Sequence, residues 1–235
     1  MPAGLRIYAI GDVHGRADLL GEAADWIAAD VKDKPGDCKT IFLGDYVDRG
    51  PDSAAVLDRL SRGDFPTRVE ALRGNHEDLL LRFLDHAAVL ADWRALGALA
   101  TLQSYGVPAS EAQRGRNYAQ TRDAFLAKLP QGHLEFLRAT RLSASAGDYC
   151  FCHAGVRPGV ALERQSADDL LWIREEFLSF RGSFGKRVVH GHSPVAAPDV
   201  RANRINIDTG AYATSALTCV ALEGAEVRLF TTRRL

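Results

Sequence analysis

Three short segments concentrate the residue types that bind hard cations and phosphate: Gly11-Asp12-Val13-His14-Gly15, Gly44-Asp45-Tyr46-Val47-Asp48-Arg49-Gly50 and Arg73-Gly74-Asn75-His76-Glu77. Asp, His and Asn offer oxygen and nitrogen donors suited to Mn, Fe or Zn. Flanking glycines let the backbone turn sharply and approach an ion or a phosphate closely. One Gly-Asp pair would mark a turn, whereas three such loops at the ends of adjacent strands point to one site. His153 and His192 extend the set, each beside a small residue, Ala154 or Gly191. His86 and His133 lie on helical segments without such loops and are expected to be ordinary packing or surface residues. His190 precedes His192 by two residues and is expected to stand behind the site at most.

The chemistry this set suits is displacement at phosphorus. Two divalent ions a few ångströms apart can each take one substrate oxygen, hold a hydroxide between them and stabilise both ends of an in-line attack. In that arrangement Asp45 is the natural bridge, Asp12 and His14 complete one ion, and Asn75, His153 and His192 the other. Asp48 and His76 remain as a carboxylate–imidazole pair, in which the carboxylate keeps the imidazole protonated to act as general acid on the leaving oxygen. Arg49 and Arg174 remain as phosphate clamps, their fixed forks matching phosphoryl oxygens.

These loops must be held by a scaffold. Leu5 to Ile10, Thr40 to Leu43 and Arg68 to Leu72 read as short strands, each running into one of the glycine-rich loops. Helical spacing of apolar residues occupies Ala17 to Ile27, Ser53 to Leu60 and Glu77 to Leu90 between and after them. This βαβαβ order predicts a parallel sheet with ligands at the carboxyl ends of its strands. Residues 91–138 form an Ala- and Leu-rich helical insertion or cap, broken by a polar stretch from Pro108 to Asn117. After Asp148 strands dominate: Tyr149 to Cys152, Arg187 to His190, Arg204 to Ile207, and a hairpin of Leu217 to Leu222 with Val227 to Thr232, grouped here as a second sheet. No linker divides the chain, so residues 1–235 are expected to form a single catalytic domain.

Composition narrows the partners. The chain has 235 residues, 46% hydrophobic and 25% charged, with a net charge of −1. That balance lacks the basic field of general nucleic-acid or membrane-surface binders. The basic set comprises 24 Arg and 5 Lys. No long apolar run or signal-like N-terminus is present, so a cytoplasmic location is expected. Cys150 and Cys152 share a strand face and read as buried thiols rather than a zinc or redox pair.

The motifs GDxHG, GDxVDRG and GNHE stand here unbroken and in order, and with them the sequence resembles the phosphoprotein phosphatase family of calcineurin-like metallophosphoesterases. The likeness is greatest to its short bacterial and phage branch, whose later motifs are matched by Cys152-His153-Ala154, Trp172-Ile173-Arg174-Glu175, Gly191-His192-Ser193-Pro194 and Ile207-Asp208-Thr209-Gly210-Ala211. The resemblance implies an α/β fold, a four-layer αββα sandwich of two mixed sheets flanked by helices. It implies Asp12, His14, Asp45, Asn75, His153 and His192 as ligands of a dinuclear centre, most simply Mn²⁺ with Fe or Zn as alternatives. It further implies His76 with Asp48 as the acid pair, Arg49 and Arg174 on the phosphate, and Arg73 as a weaker phosphate candidate. The expected activity is that of a Ser/Thr-type protein phosphatase acting on phosphoproteins or small phosphomonoesters. A symmetrical dinucleoside tetraphosphate hydrolase is the alternative, and a non-catalytic phosphate-binding scaffold a third. The chain departs from bacterial relatives at Leu96-Gly97-Ala98, where they commonly carry Asn-Gly-Gly between Trp93 and Ser104-Tyr105-Gly106.

Overall fold

The computed structural model describes residues 1–2, 4–34 and 36–232. Ten strands are described: β1 (Leu5–Ile10), β2 (Asp37–Phe42), β3 (Arg68–Ala71), β4 (Ser143–Ala146), β5 (Tyr149–Cys152), β6 (Arg187–His190), β7 (Asp199–Val200), β8 (Arg204–Asn206), β9 (Thr218–Glu223) and β10 (Glu226–Thr231). They form two five-stranded sheets, ordered β10-β9-β1-β2-β3 and β4-β5-β6-β8-β7. Helices α1 (Ala17–Asp33), α2 (Ser53–Ser61) and α3 (Asn75–Asp85) follow β1, β2 and β3.

Side-chain alternation along β1 explains the layering. Ile7 and Ala9 point between the sheets, where they meet Ile41, Leu43, Phe151, Val189, Ile205 and Ile207. Tyr8 and Ile10 point the other way and pack with Leu19, Leu20, Ile27, Val56 and Leu57 from α1 and α2. The outer face of the second sheet, with Cys150, Cys152 and Val188, is covered by Leu170, Ile173 and Phe177. Thus helices, sheet, sheet and helices stack in four layers, the expected sandwich.

The insertion is built from α4 (Leu90–Trp93), α5 (Ala98–Ser104), α6 (Ser110–Gln113), α7 (Tyr118–Leu126) and α8 (Gln131–Ala139). Its Trp93, Leu102 and Phe125 join the core on the helical side of the first sheet. Three more helices complete the chain: α9 (Ala167–Trp172), α10 (Glu175–Leu178) and α11 (Ala211–Thr214). Among the described residues no helix is long and apolar enough to cross a membrane.

Two expectations need correction. The C-terminal hairpin does not belong to the second sheet: β9 pairs antiparallel with β1, Ile7 opposite Leu222 and Ala9 opposite Val220. The single helix expected from Glu77 to Leu90 is divided, because α3 begins at Asn75 and ends at Asp85, and a short 3₁₀ turn precedes α4.

Candidate metal centre

Backbone hydrogen bonds knit the three early loops together. The N–H groups of Val13 and His14 donate to the Asp45 carbonyl at 3.0 and 2.8 Å, and that of Gly15 to the Tyr46 carbonyl at 2.8 Å. The third loop is tied in by Glu77, in the first turn of α3. Its Oε2 accepts from the N–H groups of Gly74 (2.9 Å) and Asp45 (2.8 Å), and its Oε1 from those of Tyr46 (2.8 Å) and Val47 (3.3 Å). From the second sheet, the His192 N–H donates to Asp12 Oδ2 at 3.1 Å. His14, Asp45, Asp48, Arg49 and His192 all adopt positive φ, between 44° and 73°. Such conformations cost about 1–3 kcal/mol each and persist where surrounding structure over-determines them, typically at functional sites.

Four of the candidate ligand atoms converge tightly. His153 Nε2 lies 2.8 Å from Asn75 Oδ1 and 3.1 Å from His192 Nδ1, and His192 Nδ1 lies 2.9 Å from Asn75 Oδ1. Asp45 faces this trio with Oδ1, 3.4 Å from His153 Nε2, and turns Oδ2 to His14 Nε2 at 3.4 Å. Asp45 therefore stands between two groups able to hold an ion, one with His153 and His192, the other with His14 and His76. The imidazoles are oriented for the task. His14 Nδ1 donates to the Val47 carbonyl at 2.7 Å and His153 Nδ1 to the Leu43 carbonyl at 3.0 Å, which leaves each Nε2 with a bare lone pair.

Electrostatics point the same way. Burial pushes the imidazole pKa values of His14 and His153 well down, and that of His192 to about 3, so all three are neutral donors at pH 7. Burial pushes Asp12 and Asp45 up. Neutral imidazoles around crowded carboxylates are a donor set that calls for bound cations, and this one fits divalent ions.

The pair Asp48 and His76 is fully formed. Asp48 is wholly buried, and its Oδ2 accepts from His76 Nδ1 at 2.6 Å and from Trp93 Nε1 at 2.5 Å. Thr101 Oγ1 donates to Asp48 Oδ1 at 2.5 Å. Both Trp93 and Thr101 come from the helical insertion, so the cap builds part of the site and does not merely cover it. Burial opposes the charged form of His76, but the charge of Asp45 and the bond to Asp48 outweigh it and bring the imidazole to about 9. His76 Nε2 faces Arg49 Nη2 at 3.4 Å.

The arginines divide. The half-buried Arg49 stands beside His76, and Gly97 seats the cap on it: the Arg49 N–H donates to the Gly97 carbonyl at 3.3 Å, and a Cβ on Gly97 would strike the Arg49 backbone. Arg174 is exposed and donates from Nη1 to the His192 carbonyl at 3.1 Å and to Ser193 Oγ at 3.2 Å. Arg73 is not brought to the cluster; its Nε donates to Thr140 Oγ1 at 3.1 Å. The reason is alternation: Leu72 points into the inter-sheet core, so the Arg73 side chain leaves on the opposite side. His190 sits on the outer face of the second sheet against Phe177, ring centroids 4.8 Å apart, its Nδ1 bonded to the Gly191 carbonyl.

Two buried acids escaped the sequence reading as functional residues. Glu77 is the loop tie described above. Asp208, in the Ile207-Asp208-Thr209-Gly210 segment, accepts from the Gly210 N–H at 2.9 Å, and burial lifts it to about 6. Its place two residues before a glycine in a recognised motif was the available signal.

Known proteins resemble this chain over most of its length. The asymmetrical bis(5'-nucleosyl)-tetraphosphatase of Halalkalibacterium halodurans is 27% identical over 221 residues, covering 90% of this chain and 87% of that one. Serine/threonine-protein phosphatase 1 of Salmonella typhimurium is 28% identical over 222 residues, covering 92% of each. The crystal structure of a candidate diadenosine tetraphosphatase shares the fold, with a TM-score of 0.66 at 19% identity over 97% of this chain and 98% of that one. Residues 5–221 match the model of the calcineurin-like phosphoesterases, and the chain belongs to that family.

Proposed function

We propose that the protein is a metal-dependent hydrolase of dinucleoside tetraphosphates. The observation that carries the chemistry is the position of the Asp45 carboxylate between buried, neutral imidazoles, His14 on one side and His153 with His192 on the other. In this reading Asp12, His14 and Asp45 hold one divalent ion, and Asp45, Asn75, His153 and His192 the other, with Mn²⁺ the first candidate. Bound ions there supply Lewis acidity toward the phosphoryl group and acidify a water. Arg49 and Arg174 bind the phosphoryl oxygens. His76, held by Asp48 through Nδ1, gives the proton on Nε2 to the leaving oxygen.

The substrate choice reverses the order expected from the sequence motifs, which put protein phosphatase first. Support comes from the tetraphosphatase relative, which aligns over nearly the full length of both chains. The second reading, a protein Ser/Thr phosphatase, is favoured by the Salmonella relative with its equally complete alignment.

Purified protein with Mn²⁺ is offered diadenosine tetraphosphate, a phosphoserine peptide and p-nitrophenyl phosphate, and products are separated by ion-exchange chromatography. The proposal expects kcat/KM for the tetraphosphate to exceed that for the peptide by at least about tenfold, and activity to vanish with chelator. Chromatography then tells ATP plus AMP from two ADP. A preference for the peptide establishes the second reading instead, and full activity in chelator refutes both.

A further inference from the structure

A large apolar side chain exposed singly is ordinary, and it calls for a reason only where it stands at a site. Among the described residues five are exposed: Leu126, Val160, Val200, Tyr212 and Leu229. Tyr212 is the aromatic one, and it alone adjoins the metal centre. The Arg49 guanidinium lies 4.8 Å from its ring centroid, and the His14 ring meets it edge-on at 5.4 Å. Yet 39% of the residue is exposed.

Its backbone is fixed. Gly210 and Ser215, at φ 67° and 57°, bracket the single turn of α11. Thr214 Oγ1 donates to the Thr209 carbonyl at 2.8 Å, and Arg16 Nη1 donates to the Ala211 carbonyl at 2.9 Å and to Ser215 Oγ at 3.2 Å. An aromatic ring held this firmly carries little ordering cost when a flat ligand settles on it.

We infer that Tyr212 is a specificity residue that stacks the nucleobase of a substrate whose phosphate chain lies against Arg49. This deepens the reading of nucleotides as substrates and rests on it. Stacking of a base on an aromatic side chain is worth about 1–3 kcal/mol by alanine substitution, or roughly 5- to 150-fold in affinity. The same contact could serve only to position Arg49 through a cation–π interaction, and the two roles make different predictions. A positioning role affects every phosphate ligand alike, whereas a stacking role affects only those that carry a base.

The test is calorimetric binding of ATP and of tripolyphosphate to the Mn²⁺-loaded protein and to Tyr212→Ala, Tyr212→Phe and Tyr212→Trp. These ligands share a triphosphate and differ in the nucleoside. The wild type is expected to bind ATP at least fivefold more tightly than tripolyphosphate. Tyr212→Ala should bring that ratio close to one with the tripolyphosphate affinity changed less than twofold, while the Phe and Trp variants keep the ratio. Equal loss for both ligands in Tyr212→Ala, or an unchanged ratio, overturns the inference. Binding is measured apart from turnover, so a failure of the ratio is distinguishable from failure to hydrolyse the tetraphosphate.

Discussion

Replacing Glu77 by Gln tests whether the three loops are held as described. Each carboxylate oxygen accepts two backbone N–H groups, from Asp45 and Gly74 on one side and Tyr46 and Val47 on the other. Whichever oxygen becomes an amide NH₂, two buried N–H donors lose their acceptor and face another donor. Hydrogen bonds to a charged group are worth about 1.5–3 kcal/mol each, so the change should cost about 3–6 kcal/mol. For a chain of this size that corresponds to a fall in Tm of roughly 10–20 °C. Asp45 is the residue between both candidate ion sites, and it loses a backbone anchor on one of the two orientations. Calorimetric unfolding with and without Mn²⁺, and titration of the folded variant with Mn²⁺, read both effects. A fall in Tm below about 3 °C together with unchanged Mn²⁺ affinity would refute the argument that Glu77 ties the loops.

Asp48→Asn keeps the shape of the site, since its amide can accept from His76 and Trp93 and donate to Thr101, but removes the charge. Steady-state kinetics should show kcat lowered by about 100-fold with Tm nearly unchanged. Gly191→Ala places a methyl group on the Asp12 carboxylate, and Mn²⁺ titration should show one ion site lost or severely weakened. Away from the site, Asp30 accepts from Arg228 at 2.6 and 2.8 Å and from the Tyr8 hydroxyl at 2.6 Å, and the Arg228 bonds chiefly hold its carboxyl at about 2. A carboxyl lowered on folding stabilises above its unfolded value near 4, and that stability is lost as pH falls from about 4 through 2. After allowance for solvent screening it amounts to about 1–2 kcal/mol. Urea unfolding at pH 7 and pH 2.5 should show a loss of stability in the wild type that exceeds the loss in Asp30→Asn by about this amount.

The part of the fold legible in the sequence was the part encoded locally. Strands β1, β2 and β3 end in glycine-rich loops, and α1 and α2 are long enough to display helical spacing, so order and ligand loops could be read together. The partner of a strand is not encoded in that way. Nothing in the alternation of Thr218 to Glu223 says that it pairs with Leu5 to Ile10 across more than two hundred residues. β4 has the sequence Ser-Ala-Ser-Ala at a sheet edge, without the β-branched or aromatic residues that announce a strand. At the site, the donor side chains were legible because their types declare their chemistry. Glu77, Trp93 and Thr101 were not, since each acts through partners that only the fold brings to it. Arg73 misled because proximity in sequence to Asn75 said nothing about which side of β3 its side chain leaves.

The candidate ligands come from both halves of the sandwich: Asp12, Asp45 and Asn75 follow β1, β2 and β3, whereas His153 and His192 follow β5 and β6. An ion shared by Asp45 and His153 would therefore be a cross-link between sheets whose facing surfaces are apolar. At an ion concentration 100 times its dissociation constant, such a ligand adds about 2.7 kcal/mol to the free energy of unfolding. On the proposed function, metal supply would govern how long the chain survives as well as how fast it turns over, and depletion should make it a better substrate for proteases before it becomes an unfolded one.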